Sequence, residues 1–278
     1  MPGEFKTGFL KTLWILRDYL SMIVIGGGWV PLLYYHYLLA DKSKEPIRTR
    51  DIDLLVDVHL PLIGDKTVDQ LLLEDGFEPK FKSSDTPPVI HYEGTIDGHE
   101  VEIEFLTDQR GAKDDVVIEV QKGLHAEALR FISIPINHVI EVTIDDFQIR
   151  GEYHPLRVKV PSPAAYIFHK GLIFKRRKDK QKKAKDLYYI FDILANCPEL
   201  REQIIKGLYG FEKEYSSWFS RFMKDLKKNF SDLTSDGIIM VSSQRPAAAF
   251  PELTDEQFRQ YVLGIFQQFI EELTDIRY

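Results

Sequence analysis

Residues 23–57 read IVIGGGWVPLLYYHYLLADKSKEPIRTRDIDLLVD. An apolar run of four from Met22 to Ile25 enters three consecutive glycines, Gly26 to Gly28. An apolar, aromatic stretch from Trp29 to Ala40 follows, then a polar loop from Asp41 to Arg50. The pattern predicts a buried strand, a glycine turn, a helix over 29–40 with Pro31 in its first turn, a basic loop, and a second strand over 51–58. The second strand carries Asp51 and Asp53 inside an otherwise apolar segment. Residues i and i+2 of a strand share a face, about 6.6 Å apart. Two carboxylates so placed can converge on one divalent ion, or straddle a pair of ions about 3.5–4 Å apart. The plain alternative is an exposed polar strand face. The glycines add a position where the backbone can approach a ligand closely, because no Cβ intervenes. With the amides of the following helix they could hold a phosphate group. There is no G-x-G-x-x-G and no Gly-Lys-Ser/Thr, so dinucleotide and Walker-type readings fail.

Farther along, Val101 to Asp108 alternates strictly: Glu102 and Glu104 take one face, Val101, Ile103 and Phe105 the other. An acidic face on a central strand is costly unless it meets a cation or solvent. Val89 to Glu93 and Val101 to Leu106 are expected to pair through a tight turn at Asp97-Gly98. A helix is expected over Glu4–Leu20 and a short one over Thr67–Glu74, with a Pro/Ser loop over Ser83–Pro88. Short strands are expected over Val116–Val120, Val139–Ile144 and Leu156–Val160, with a helical or irregular crossing through HAEALRFIS, residues 125–133. His125, His138 and His154 lack ligand spacing and read as ordinary surface or core residues.

After Pro161-Ser162-Pro163 the pattern becomes helical: 164–177, 182–195, 198–209, 212–230 and 254–273, with a polar Pro/Ala-rich connection over 231–251. The domain boundary is expected near Val160, giving 1–160 and 161–278. Eight basic residues lie between Lys175 and Lys185. Lys170 and Arg177, seven apart, share a helix face. Such cations can bind phosphates beside an acidic metal site. The plain reading of Lys175 to Lys183 is a solvated loop. Contact with a polynucleotide backbone is a further reading, since Lys and Arg neutralise phosphates whatever the sequence.

The glycine turn, the Asp51-Ile52-Asp53-Leu54-Leu55-Val56 strand and the later acidic strand together resemble the DNA polymerase beta-like nucleotidyltransferase superfamily. The Arg48-Thr49-Arg50 lead-in is similar to the bacterial AbiEii-type group, as are Lys170, Arg177, Lys185, Asp186 and Asp192. The resemblance implies an α+β fold: a nucleotidyltransferase-like mixed sheet with flanking helices, then an all-helical C-terminal domain. It implies that Asp51, Asp53 and Glu104, with Glu102 in reserve, are the catalytic, metal-binding acids. The superfamily's usual third acid is Asp, so Glu departs from the pattern. It implies that Gly27, Gly28, Arg48, Thr49, Lys170, Arg177 and Lys185 bind the nucleotide, with Mg²⁺ or Mn²⁺ as cofactor and an NTP such as ATP as substrate. The reaction implied is transfer of a nucleoside monophosphate to an acceptor hydroxyl, with release of pyrophosphate. The acceptor is left open among tRNA, protein and a small molecule. A catalytically silent, nucleotide- or partner-binding member of a toxin-antitoxin pair, with an antitoxin partner, is the alternative.

The composition suits a soluble globular chain: 278 residues, 44% hydrophobic and 28% charged. The net charge of -7 argues against a generally basic nucleic-acid coat but allows a local basic groove. The single cysteine permits no intramolecular disulfide. The uncharged stretch from Met22 to Ala40 approaches membrane-span length, but Gly26 to Gly28, Pro31 and His36 interrupt it. Lys11, Arg17 and Asp18 break any signal-peptide core, so a cytoplasmic protein is expected.

Overall fold

The computed structural model describes residues 2–47, 49–81, 90–109 and 116–275. They divide into two compact units, Met1–Ser162 and Pro163–Tyr278. Arg48, the loop expected over Ser83–Pro88 and the start of the strand expected at Val89 lie outside the described residues.

In the first unit the strands are β1 (Val24–Ile25), β2 (Asp51–Leu55), β3 (Glu78–Phe81), β4 (Ile90–Ile96), β5 (His99–Asp108), β6 (Val116–Gln121), β7 (Leu124–Leu129), β8 (Val139–Ile144), β9 (Gln148–Ile149), β10 (Glu152–Tyr153) and β11 (Leu156–Pro161). The helices are α1 (Pro2–Ile15), α2 (Val30–Leu33), α3 (Val68–Glu74) and α4 (Ser133–Asn137). Among the described residues the main sheet has the order β3-β4-β5-β2-β1-β11-β8, and β9 and β10 form a separate hairpin. The sheet is mixed: β2 runs parallel to β5 and antiparallel to β1, and β1 runs parallel to β11.

Strand β5 holds the sheet together. One edge pairs with β2 through residues 102–106. The other edge pairs first with β4, through residues 99–104, and then with β7, through residues 106–108. The sheet therefore forks at Phe105. The alternation read from the sequence is the alternation of burial. Ile52, Leu54, Ile103 and Phe105 are buried, while Asp51, Asp53, Glu102 and Glu104 are half-buried. Each such apolar side chain contributes about 1.5–3 kcal/mol by leaving water, which fixes the register, since a slip of one residue would exchange the faces.

The apolar face is covered by α1 and α3. Gly8 of α1 meets the Val101 side chain, and Phe9 stacks on Trp29 at 4.1 Å. Asp69 of α3 accepts the Tyr92 hydroxyl proton at 2.7 Å, and Tyr92 meets the Phe105 ring edge-on. Helix α3 opens with a reciprocal cap: Thr67 Oγ1 accepts from Gln70 N, and Gln70 Oε1 accepts from Thr67 N.

Three expectations change here. The first strand is only Val24–Ile25, since Met22 and Ile23 lie outside the ladder. The helix expected over 29–40 changes pitch along its length: a 3-10 turn over Gly27–Trp29, α2, then a π turn over Tyr34–Leu38. The segment expected as a helical or irregular crossing is strand β7, antiparallel to β6 and parallel to β5. Leu124, Ala126 and Ala128 are buried while the residues between them are not. Sheet pairing overrides the helix preference of Ala, Leu and Glu.

The second unit is helical: α5 (Pro163–Ile173), α6 (Lys180–Asn196), α7 (Arg201–Glu214), α8 (Ser216–Asn229), α9 (Asp236–Ser243) and α10 (Asp255–Asp275). Helix α9 lies within the stretch expected to be a connection, and the helix expected over 212–230 is split at Tyr215. Aromatic side chains fill the interior: Phe168 stacks on Phe211 at 5.2 Å, Phe230 on Phe266 at 3.5 Å, and Phe191 meets Phe258 edge-on. Gly171 is where α5 approaches α8, with the Phe222 ring in the space a Cβ would need. Among the described residues no helix is long and apolar enough to cross a membrane. Cys197 is buried as a free thiol.

Candidate active site

Parallel pairing sets Asp51 beside Glu102 and Asp53 beside Glu104. Neighbouring strands lie about 4.8 Å apart, and partners in register point to the same face. The four carboxylates thus occupy the corners of a patch about 4.8 by 6.6 Å at the backbone. The two acidic stretches, about fifty residues apart in sequence, are brought side by side. On the next strand His91 pairs with Glu104 and Glu93 with Glu102. His91 is buried, with Nε2 2.8 Å from Glu93 Oε1 and 3.8 Å from Glu102 Oε1. Neither His91 nor Glu93 was expected at the site. The signal for them was their i, i+2 spacing on a strand expected to pair with the acidic one.

The glycine turn is tied to the same strand. Gly26 N donates to Asp53 O at 2.8 Å, and Trp29 Nε1 donates to Asp51 O at 3.1 Å. Gly27 has φ +60, a conformation that costs an L-residue roughly 1–2 kcal/mol. A Cβ at Gly27 would lie 2.7 Å from Asp53 Cγ and closer still to Oδ2. Position 27 therefore excludes any side chain on two counts, and the Asp53 carboxylate packs directly against the backbone there. Gly28 is buried in the same turn. The far end of this helical stretch is anchored at Asp146, which accepts from Tyr37 Oη at 2.6 Å and from Lys6 and Lys42 Nζ at 3.0 Å each. Burial alone would raise the Asp146 pKa, but these three donors hold the carboxyl well below the usual carboxylate range.

The donor set suits a divalent cation: carboxylate oxygens are the ligands Mg²⁺ and Mn²⁺ take. The backbone spacing allows Asp51, Asp53 and Glu104 to reach one point. As they stand, no three His, Cys, Asp or Glu side chains among the described residues are grouped tightly enough to hold a metal ion. The residues fit the cation by type and register, and closing on it requires side-chain rotation.

Thr49 is two residues before β2 and half-buried. Lys170, Arg177 and Lys185 belong to the second unit. There Lys170 Nζ meets Asp186 Oδ1 at 2.6 Å, and Arg177 Nε meets Asp186 Oδ2 at 2.9 Å. Lys170 and Asp186 are both nearly solvent-free. Burial would raise the Asp186 pKa, but the two cations hold it below its ordinary value. His169 next in sequence is kept neutral. Desolvation first, and then the charge of Lys170, pushes its pKa down to about 3. Lys185 is half-buried, with Nζ 5.7 Å from the Tyr189 ring centroid.

Comparison with known proteins identifies a family. No curated protein matches the chain. A solved structure, an antigenic nucleotidyltransferase-like protein from Paracoccidioides brasiliensis, is similar at 19% identity over 78% of this chain and 93% of its own, with a TM-score of 0.37, a likeness too loose to add to the sheet order above. Residues 15–207 match the family described as Nucleotidyltransferase. That span takes in the glycine turn, both acidic strands and the first helices of the second unit, more than half of the 278 residues, and the chain belongs to the nucleotidyltransferase family.

Proposed function

We propose that the acidic face of β2 and β5 is the centre of a Mg²⁺- or Mn²⁺-dependent nucleotidyl transfer. Asp51, Asp53 and Glu104 hold the cation, with Glu102 beside them. A bound cation there would neutralise triphosphate charge. Gly27 and Gly28 offer backbone amides to a phosphate group beside the Asp53 carboxylate, and Glu104 accepts the proton of the acceptor hydroxyl. The acceptor oxygen forms a bond to the α-phosphorus of an NTP, the α–β bridging P–O bond breaks, and pyrophosphate leaves. The observation that carries this reading is the register: Asp51 against Glu102 and Asp53 against Glu104, on a half-buried face beside a glycine that cannot bear a side chain. Four carboxylates aligned in pairs repel one another, and a cation is the natural counter-charge.

The AbiEii-type assignment within the family rests on Arg48-Thr49-Arg50 and on Lys170, Arg177, Lys185, Asp186 and Asp192. With it go an acceptor among tRNA, protein and small molecules, an antitoxin partner, and a cytoplasmic setting. A second reading, a silent nucleotide- or partner-binding member, is favoured by one observation: the acids are not grouped as a metal cage among the described residues. One assay separates the two. Radiolabelled NTP incubated with Mg²⁺ or Mn²⁺ and a panel of acceptors gives transfer that Asp53→Ala abolishes if the first reading holds. Nucleotide binding without transfer to any acceptor supports the second.

A further inference from the structure

The basic run that the sequence presents as a solvated loop is held rigidly in the fold. It forms a 3-10 turn, Phe174–Arg176, followed by the start of α6. Three interactions fix it. Lys175 Nζ is paired with Asp225 of α8. Arg177 is paired with Asp186. Asp179 caps α6, accepting from Gln181 N at 2.6 Å and Lys182 N at 3.1 Å. Asp225, Asp186 and Asp179 are thereby each engaged with the protein itself. Lys178, Lys180 and Lys182 are exposed. The Lys175–Asp225 pair also brings the turn to α8, where Arg221 and Lys228 lie one helical turn to either side of Asp225. Arg221 Nε itself lies 3.7 Å from Asp225 Oδ2, so two basic segments some fifty residues apart are joined at one carboxylate, on a chain whose net charge is -7.

We infer that this surface, Lys178, Lys180 and Lys182 with Arg221 and Lys228, docks the phosphate backbone of a polynucleotide. Holding the turn in place reduces the ordering cost of binding, and several lysines along a fixed backbone match a ligand with a repeated charge. An anionic membrane is a poorer match, because none of the exposed large apolar side chains among the described residues, Met22, Leu62, Leu73, Tyr153 and Ile239, lies on the turn. The inference stands apart from the transfer reading, since it uses none of the acids of β2 and β5.

The test is fluorescence anisotropy of a labelled mixed-sequence RNA titrated with the full chain over a range of salt concentrations. Binding to the native chain weakens steeply with salt. Lys178→Glu/Lys180→Glu/Lys182→Glu lowers affinity at least about tenfold and flattens the log–log salt slope by about 2, the contribution of three single-strand phosphate contacts. Arg221→Glu/Lys228→Glu weakens binding from the α8 side, which keeps the test open if the triple variant fails to fold. Asp53→Ala binds RNA as the native chain does, so failure of the transfer reading and failure of this one give different results. Undiminished binding by both charge-reversal variants would overturn the inference. So would displacement of RNA by ATP at equal phosphate concentration, or equal retention on phosphatidylserine vesicles.

Discussion

The two units place charge in opposite ways. In the second, Asp186 is nearly solvent-free and is met by two cations, Lys170 and Arg177. In the first, Asp51, Asp53, Glu102 and Glu104 stand half-buried with carboxylate registered against carboxylate. The first arrangement is complete within the protein and supports helix packing. The second sets like charges side by side on one half-buried face of the sheet. Buried charge with internal partners thus marks architecture, and like charges aligned on an accessible face mark a place for something from outside.

If that contrast is right, removing one acid from each unit has different consequences. Asp186→Ala leaves Lys170 buried without its counter-charge. The second unit should lose about 3–5 kcal/mol, read as a lower urea midpoint. Asp53→Asn removes one of four crowded carboxylates. Transfer activity should fall about 10²–10³-fold, roughly 3–4 kcal/mol of barrier, while the urea midpoint stays within about 1 kcal/mol of native. A large stability loss from Asp53→Asn would make the acid face architectural and erase the contrast.

Gly27→Ala sharpens the comparison from the backbone side. The alanine needs φ +60 and meets the Asp53 carboxylate, so a loss of about 1–3 kcal/mol is expected, together with loss of nucleotide binding measured by calorimetry. The smallest effect concerns His169. Its folded pKa, about 3, lies below its ordinary 6.5. The unfolded chain therefore takes up a proton first as the pH falls, and the folded state loses stability from about pH 6.5 downward. The slope stays below about 1.4 kcal/mol per pH unit, because a single ring takes up at most one proton. His169→Gln should flatten chemical-denaturation midpoints measured between pH 4 and 7 on the order of that slope.

Local patterns made the site legible before the fold. The i, i+2 spacing of Asp51 and Asp53, and of Glu102 and Glu104, is a strand property, and each pair could be placed on one face from its own few residues. The glycine turn was equally local. What escaped was decided by distant partners. Residues 124–129 are rich in helix formers and become a strand because β5 and β6 offer hydrogen bonds on both sides. His91 joins the acids through cross-strand pairing. Helix α9 was hidden by the polar, Pro/Ala-rich composition around it. The basic run looked unstructured because its fixing partner, Asp225, lies fifty residues downstream.

The most direct test of the cation reading is a crystal of the chain soaked with Mn²⁺ and a non-hydrolysable NTP analogue, with anomalous diffraction recorded for manganese. The account predicts an anomalous peak ligated by Asp51, Asp53 and Glu104, with the analogue's phosphates against Gly27 and Gly28. A peak elsewhere on the chain, or bound nucleotide with no manganese at these acids, would contradict it.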